Sequence, residues 1–292
     1  MAFELIHKAI TSSPSLKLQA LCRVAGVSRS GFYYYLKNNE NRVKRDLSSL
    51  EIIQKFFEKS RKKGGTRTID MMIRNSGIKP INHKKIQRIK REYGLITKIR
   101  RKNPYKSLPT SENAFVPNLL RREFVTPLPN SIYSTDMTFL FYGSGEKAYL
   151  SATKDLGTNE IVSYKLMRSP SVSQFTEEFK SLLGTLSPNI RSSLIIHSDQ
   201  GFQYTHEAFR NLLKEFGVTQ SMSRRANCYD NAPIESFFGH FKDLLELKKC
   251  KTFEDVKNEV KEVMEYYNNE RPQKALNNKA PACYRGFISG HF

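Results

Sequence analysis

The stretch Ser193-Leu-Ile-Ile-His197-Ser-Asp199-Gln-Gly201 decides how the rest of the chain is read. Residues 193–197 predict a short apolar strand, Asp199 stands just past its end, and Gly201 follows. Upstream, 132–142 is rich in β-branched and aromatic residues and predicts a strand. Residues 148–153 and 161–166 predict two more, divided by the turn residues Gly157-Thr-Asn159. Between these and the quoted strand, 172–186 is periodic, with Phe175, Phe179, Leu182 and Leu183 on one side of a helix. Downstream, 207–216 predicts a second helix. A third covers 232–247, with Pro233 in its first turn and Asp230 or Asn231 available as a cap. An amphipathic helix over 252–268 closes the series.

Three strands, helix, strand, helix, strand, helix is the order of a ribonuclease H-like core, so the expected class is α/β. Three acids stand where such a core has no use for them. Asp136 interrupts the first strand, Asp199 follows the short strand, and Glu235 lies in the first turn of the third helix. Each alone reads equally well as a solvated turn residue or as an acid favourable to a helix start. Their spacing changes the reading. Between Asp199 and Glu235 lie 35 residues, and Lys242 stands seven positions beyond Glu235, two turns along the same helix face.

The flanking words carry a family resemblance. Thr135-Asp136-Met-Thr138, His197-Ser-Asp199-Gln-Gly201-Phe-Gln203-Tyr204 and Asn227-Cys-Tyr-Asp-Asn-Ala-Pro-Ile-Glu235-Ser-Phe-Phe are its core. Tyr267-Asn-Asn-Glu-Arg-Pro272, Pro281 and the Asn82-His-Lys-Lys-Ile-Gln-Arg helix extend it over about residues 16–285. Together they resemble the downstream-frame (OrfB) transposases of the IS3 family, with an Asp-Asp-Glu integrase catalytic core. Two positions depart from the family pattern: Tyr133 stands for its usual Trp, and Phe202 for a small residue.

The resemblance implies a mixed five-stranded sheet with flanking helices. It also implies metal-dependent DNA cleavage followed by 3′-OH strand transfer, which makes the chain a polynucleotidyl transferase. Asp136, Asp199 and Glu235 are then the catalytic and metal-ligating acids. Hard cations call for oxygen ligands, so Mg²⁺ or Mn²⁺ is implied, as two ions about 3.5–4 Å apart with Asp136 bridging them. Lys242 is expected on a DNA phosphate. His197 is read as a hydrogen-bonded residue of the strand end and not as a base, and Asp155 is assigned no catalytic role. Asp230 is read as a cap or turn residue, and Arg224 and Arg225 as candidate DNA contacts. The alternatives are a catalytically silent DNA-binding regulator of transposition and a ribonuclease H-type hydrolase that cuts without joining.

The charge is divided unevenly. Of the +20 formal net charge, residues 1–112 hold +18 and the remainder +2. Such asymmetry marks a polyanion-binding module joined to a nearly neutral one. Residues 1–40 read as a helix-turn-helix, with Leu18, Leu21 and Val24 as an apolar face, Gly26 in the turn and Ser28 as cap. Arg29 and Ser30 would then lead the recognition helix. Residues 41–106 read as a second helical DNA-binding unit. In it Ile69, Met72 and Ile73 form one stripe, and Asn82 caps a helix carrying Lys84, Lys85, Arg88, Lys90 and Arg91.

A basic tether at 99–105 and a proline-rich linker at 107–129 lead to the catalytic core at 130–250. Residues 251–292 complete the integrase region. The expected partners are double-stranded DNA (terminal inverted repeats and target), further copies of the chain, and an upstream-frame (OrfA) product. No apolar run approaches the roughly 18 residues of a membrane span, and Cys22, Cys228, Cys250 and Cys283 show neither zinc nor disulfide spacing. A cytoplasmic, nucleoid-associated bacterial location is expected.

Overall fold

The computed structural model describes residues 2–97, 116–126, 128–224 and 228–290, which divide into two units. The basic tether and Arg225 lie outside the described residues.

In the first unit, α1 (Ala2–Ser12), α2 (Leu18–Val24) and α3 (Arg29–Lys59) form the helix-turn-helix. Ile6, Cys22 and Phe32 are its buried centre, packed by Phe3, Ile10, Leu18, Leu21, Val27 and Leu36. Gly26 takes φ +65° in the turn, a conformation that disfavours any side chain. Ser28 Oγ accepts the Gly31 N–H at 2.9 Å and so caps α3. Val24 does not join the apolar face, being 88% exposed. At 3.6 residues per turn it points away from Leu18, and the buried Cys22 takes the inward place instead.

The boundary drawn at residues 40/41 falls inside a continuous 31-residue helix, α3. No Gly or Pro occurs from Phe32 to Ser60, so nothing breaks it there. Its second half buries Ile53, Phe56 and Phe57. That half packs with α5 (His83–Glu92), which follows α4 (Thr66–Asn75). Ile69, Met72 and Ile73 of α4 and Ile86 and Ile89 of α5 are buried as their spacing predicts. Asn82 Oδ1 caps α5 by accepting the Lys84 N–H at 2.9 Å.

In the second unit, β1 (Ile132–Tyr142), β2 (Glu146–Asp155) and β3 (Ile161–Met167) form an antiparallel meander. The chain continues through α6 (Val172–Gly184), the short α7 (Pro188–Ser193), β4 (Ile195–Ser198), α8 (Phe202–Thr205), α9 (Glu207–Glu215) and β5 (Thr219–Met222). β4 lies parallel to β1, and β5 parallel to β4, giving a mixed five-stranded sheet in the order β3-β2-β1-β4-β5. Phe175, Phe179, Tyr204 and Phe209 from the helices pack with Tyr133, Ile196 and Met222 of the strands in one core. α10 (Ala232–Leu244) contacts β1. α11 (Phe253–Glu265), opened by a Thr252–Asp255 capping box, runs into a π-turn at Tyr266–Glu270.

Short elements are what the residue pattern leaves unplaced: α7, α8, β5 and the last helix, α12 (Pro281–Ile288). β5 is Thr-Gln-Ser-Met, with no apolar run to announce it, and only pairing with β4 makes it a strand. The later part of the stretch read as linker also packs on this unit: Leu120 is buried, and Val116 joins the core cluster.

Candidate active site

The site forms because the sheet brings the middle of one strand and the end of its parallel neighbour together, with α10 against them. Asp136 is the fifth residue of β1, opposite Ala152 of β2. Asp199 immediately follows β4, and its Oδ1 accepts the Gly201 N–H at 2.9 Å, which fixes the carboxylate at the turn. Glu235 lies in the first turn of α10, where the helix dipole favours an acid.

The acids share one electrostatic field. Burial and then the Asp199 charge push the Asp136 carboxyl up to about 7, with a smaller push from Glu235; the Met137 N–H and Lys242 act against this. Burial also raises Asp199, and burial and the Asp199 charge raise Glu235. Among the described residues no three His, Cys, Asp or Glu are grouped as a ready-made metal cage. The donor set nevertheless suits a divalent cation: oxygen ligands only, mutually repelling, and raised by a negative charge that Lys242 offsets only in part.

Behind the acids a polar network fixes the corner before α10. The Asp230 side chain has no solvent exposure. It accepts Arg224 Nε at 2.8 Å, Arg122 Nε at 2.9 Å and Asn118 Nδ2 at 3.0 Å. The Arg224 guanidinium, aided by Arg122, holds it well below the usual carboxylate range. His197 Nε2–H donates to the Asp230 carbonyl at 2.8 Å, and the Ser221 hydroxyl pairs with Nδ1 at 2.9 Å. Both ring nitrogens are thus occupied, which is the geometry of a buried neutral imidazole and leaves no free nitrogen for a base. Asn231 Oδ1 accepts the Ser134 hydroxyl at 2.8 Å, and its Nδ2 donates to the Thr135 carbonyl. The corner that starts the Glu235 helix is therefore bound to the strand that carries Asp136.

Several expected roles change. Arg224 pairs with Asp230 while its own side chain stays 62% exposed, so the ion pair leaves it open to solvent. Asp230 is a buried ion-pair centre and more than a turn residue. Asp155 accepts the backbone N–H groups of Asn130 and Gly157 and Arg285 Nη2 of α12, so it serves the fold. Asn118, Arg122 and Ser221 were not singled out in the sequence; Asn231 was read there only as a helix cap, and its side chain ties β1 to the corner instead of capping.

In the first unit Arg29 and Ser30 are exposed at the start of α3, and Lys84 is exposed on α5. Lys85 and Arg88 instead turn to Asp46 of α3, Arg88 through two bonds of 2.9 and 2.8 Å and Lys85 at 3.2 Å. Against the cost of burial, these cations hold Asp46 below its usual range. Lys90 is buried, donates to the Gly64 carbonyl at 2.6 Å and sits over the Phe57 ring. Helix α5 carries five basic residues after its cap, but three of them hold it to its neighbours.

Comparison with known proteins agrees with this fold. Residues 127–228 and 216–281 match two models of the integrase core domain, and 39–103 match an HTH-like domain. An Asp-Asp-Glu acid set on a ribonuclease H-like integrase sheet defines the class of DDE polynucleotidyl transferases. A transposase-like protein of Haemophilus influenzae is 41% identical, over 70% of this chain and 93% of its own length. The InsK protein of insertion sequence IS150 from Escherichia coli K12 is 35% identical, over 92% of this chain and 93% of its own. InsF, a transposase of IS3A from the same organism, is 28% identical over 77% and 78%. The chain belongs to the IS3-type family of insertion-sequence transposases.

Proposed function

We propose that this chain cuts DNA at the ends of its own element and joins the freed 3′-OH ends to a target. The observation that carries the reading is the placement of Asp136, Asp199 and Glu235 on β1, at the end of β4 and on α10, where they share one field. Cleavage and joining are both displacements at phosphorus, in which charge develops on the attacking and leaving oxygens. Two Mg²⁺ or Mn²⁺ ions, when bound, stabilise those oxygens and activate the attacking water or hydroxyl. Asp136, Asp199 and Glu235 would hold the ions through their carboxylate oxygens. Lys242 supplies a cation for a nearby phosphate. The Asp230–Asn231 corner keeps the third acid aimed at the first, and neutral His197 holds that corner without taking part in proton transfer. Arg29, Ser30 and Lys84 remain our candidates for contacts to the element's ends.

Joining two DNA ends calls for at least two copies working together, and an upstream-frame product would add further DNA contacts. Among the described residues no helix is long and apolar enough to cross a membrane.

The test is nicking and strand transfer on element-end DNA with Mg²⁺, comparing the full chain with Glu235→Gln. The variant is expected to bind DNA as the parent does and to lose both reactions by at least about 10²-fold, the scale of losing one transition-state electrostatic contact. Equal activity would remove Glu235 from the site. Cutting without joining by the parent would favour the hydrolase reading, and DNA binding with neither reaction the regulator.

A further inference from the structure

Past Asp136 on β1, two large rings stand in solvent: Phe139 is 46% and Phe141 52% exposed. One exposed apolar side chain is ordinary. These two touch, with ring centroids 5.2 Å apart at 74°, and each has a lysine over it. Lys242 Nζ is 5.3 Å from the Phe139 centroid, and Lys147 Nζ is 5.6 Å from that of Phe141. Phe139 lies three residues beyond Asp136 on the same strand, and Lys242 belongs to the Glu235 helix and acts on the Asp136 carboxyl. An odd offset along a regular strand sends Phe139 to the opposite sheet face from Asp136, and Lys242, reaching over the ring while acting on the Asp136 carboxyl, is the group that links the two.

We propose that Phe139 with Lys242, flanked by Phe141 with Lys147, is a stacking surface for an unpaired base of the strand being cut or joined. The proposal rests on the reading that the acids act on DNA. Where a nucleotide beside the acids is unpaired, its base has lost a stacking neighbour and regains contact on an aromatic face whatever its identity. The lysines offset the adjoining phosphates. Three residues of strand rise about 10 Å, which matches about three nucleotides at roughly 3.4 Å of rise per strand step. The ring therefore meets a base within about three nucleotides of the phosphate at Asp136. A second copy of the chain is the competing cover for these rings. The lysine over each ring favours a polyanion.

The experiment uses the full chain and an element-end DNA with 2-aminopurine at each of the three positions next to the scissile phosphate. Wild type, Phe139→Leu and Phe139→Tyr are compared for emission change on binding and for affinity to an end with three unpaired nucleotides. The wild type and Phe139→Tyr are expected to change the emission at one position. Phe139→Leu is expected to lose that change and to bind the unpaired end about 5- to 100-fold more weakly, the worth of one stacked base. Wild-type joining together with an unaltered Phe139→Leu in both readouts overturns this proposal alone. So does a Phe139→Leu that changes oligomeric mass by light scattering but not emission, which would assign the rings to a second copy. A wild type that neither binds nor cuts the end sinks the underlying reading as well.

Discussion

Asp136, Asp155, Glu178 and Asp230 are all carboxylic acids and differ in their surroundings. Asp136 is pushed up by burial and fellow acids, Asp155 takes Arg285, Asp230 is held ionised by two arginines, and Glu178 has only weak help. Glu178 of α6 is buried, accepts the Ser163 hydroxyl at 2.9 Å and is raised to about 7 by burial; Lys165 and the Tyr204 hydroxyl are its titratable neighbours. A carboxyl raised in the folded state favours the protonated form. Its contribution is fully present below the unfolded value of about 4.3 and is lost as pH rises through about 7. Glu178→Gln should therefore raise stability more at pH 8 than at pH 5, by about 2 kcal/mol, in urea unfolding at both values. Parallel profiles would show that Glu178 does not titrate in that window. The basic residues divide by the same logic. Lys84→Gln should lower the salt dependence of DNA binding by about one unit of slope and leave the melting temperature alone. Arg88→Gln should instead cost about 2 kcal/mol, because it removes the Nη2 that bonds both oxygens of a buried carboxylate.

At the scale of elements, α3 and the corner before α10 carry the consequences. Because α3 is continuous, it is one rigid rod shared by the helix-turn-helix and the unit that follows. Asn41→Pro, at its exposed middle, should cost about 3 kcal/mol or more of first-unit stability by circular dichroism melting. Little change would mean that the helix is already broken there. At the corner, Asp230→Asn keeps the shape but loses the charge held by Arg122 and Arg224. A loss of about 2 kcal/mol is expected, together with a fall in strand transfer at temperatures where the variant remains folded. Retained activity in the folded variant would show that Glu235 is aimed by other contacts. The π-turn after α11 is a third such device. Asn268 Oδ1 accepts the Ile161 N–H and its Nδ2 donates to the Ile161 carbonyl, both at 3.0 Å, so that side chain acts as a partner strand at the start of β3.

At the scale of the molecule, the +18 and +2 charge halves separate DNA affinity from chemistry. Removing residues 1–112 should flatten the dependence of log affinity on log salt, because each neutralised phosphate contributes about 0.9 to the slope. An unchanged slope would place the main DNA surface on the catalytic unit. The sequence by itself determined the long elements of the catalytic unit and their order, because apolar periodicity is a local property of a chain, but it divided the continuous α3. It called for a fifth strand but could not place β5, whose four residues become a strand only by pairing with β4. It could not tell Lys84 from Lys85, neighbours of one type, since only the fold brings Asp46 within reach of one of them. Nor could it show that Asp230, His197 and Asn231 tie the third acid to the first strand. Burial and long-range hydrogen bonds join residues far apart in the chain, and only the tertiary structure decides which of them meet.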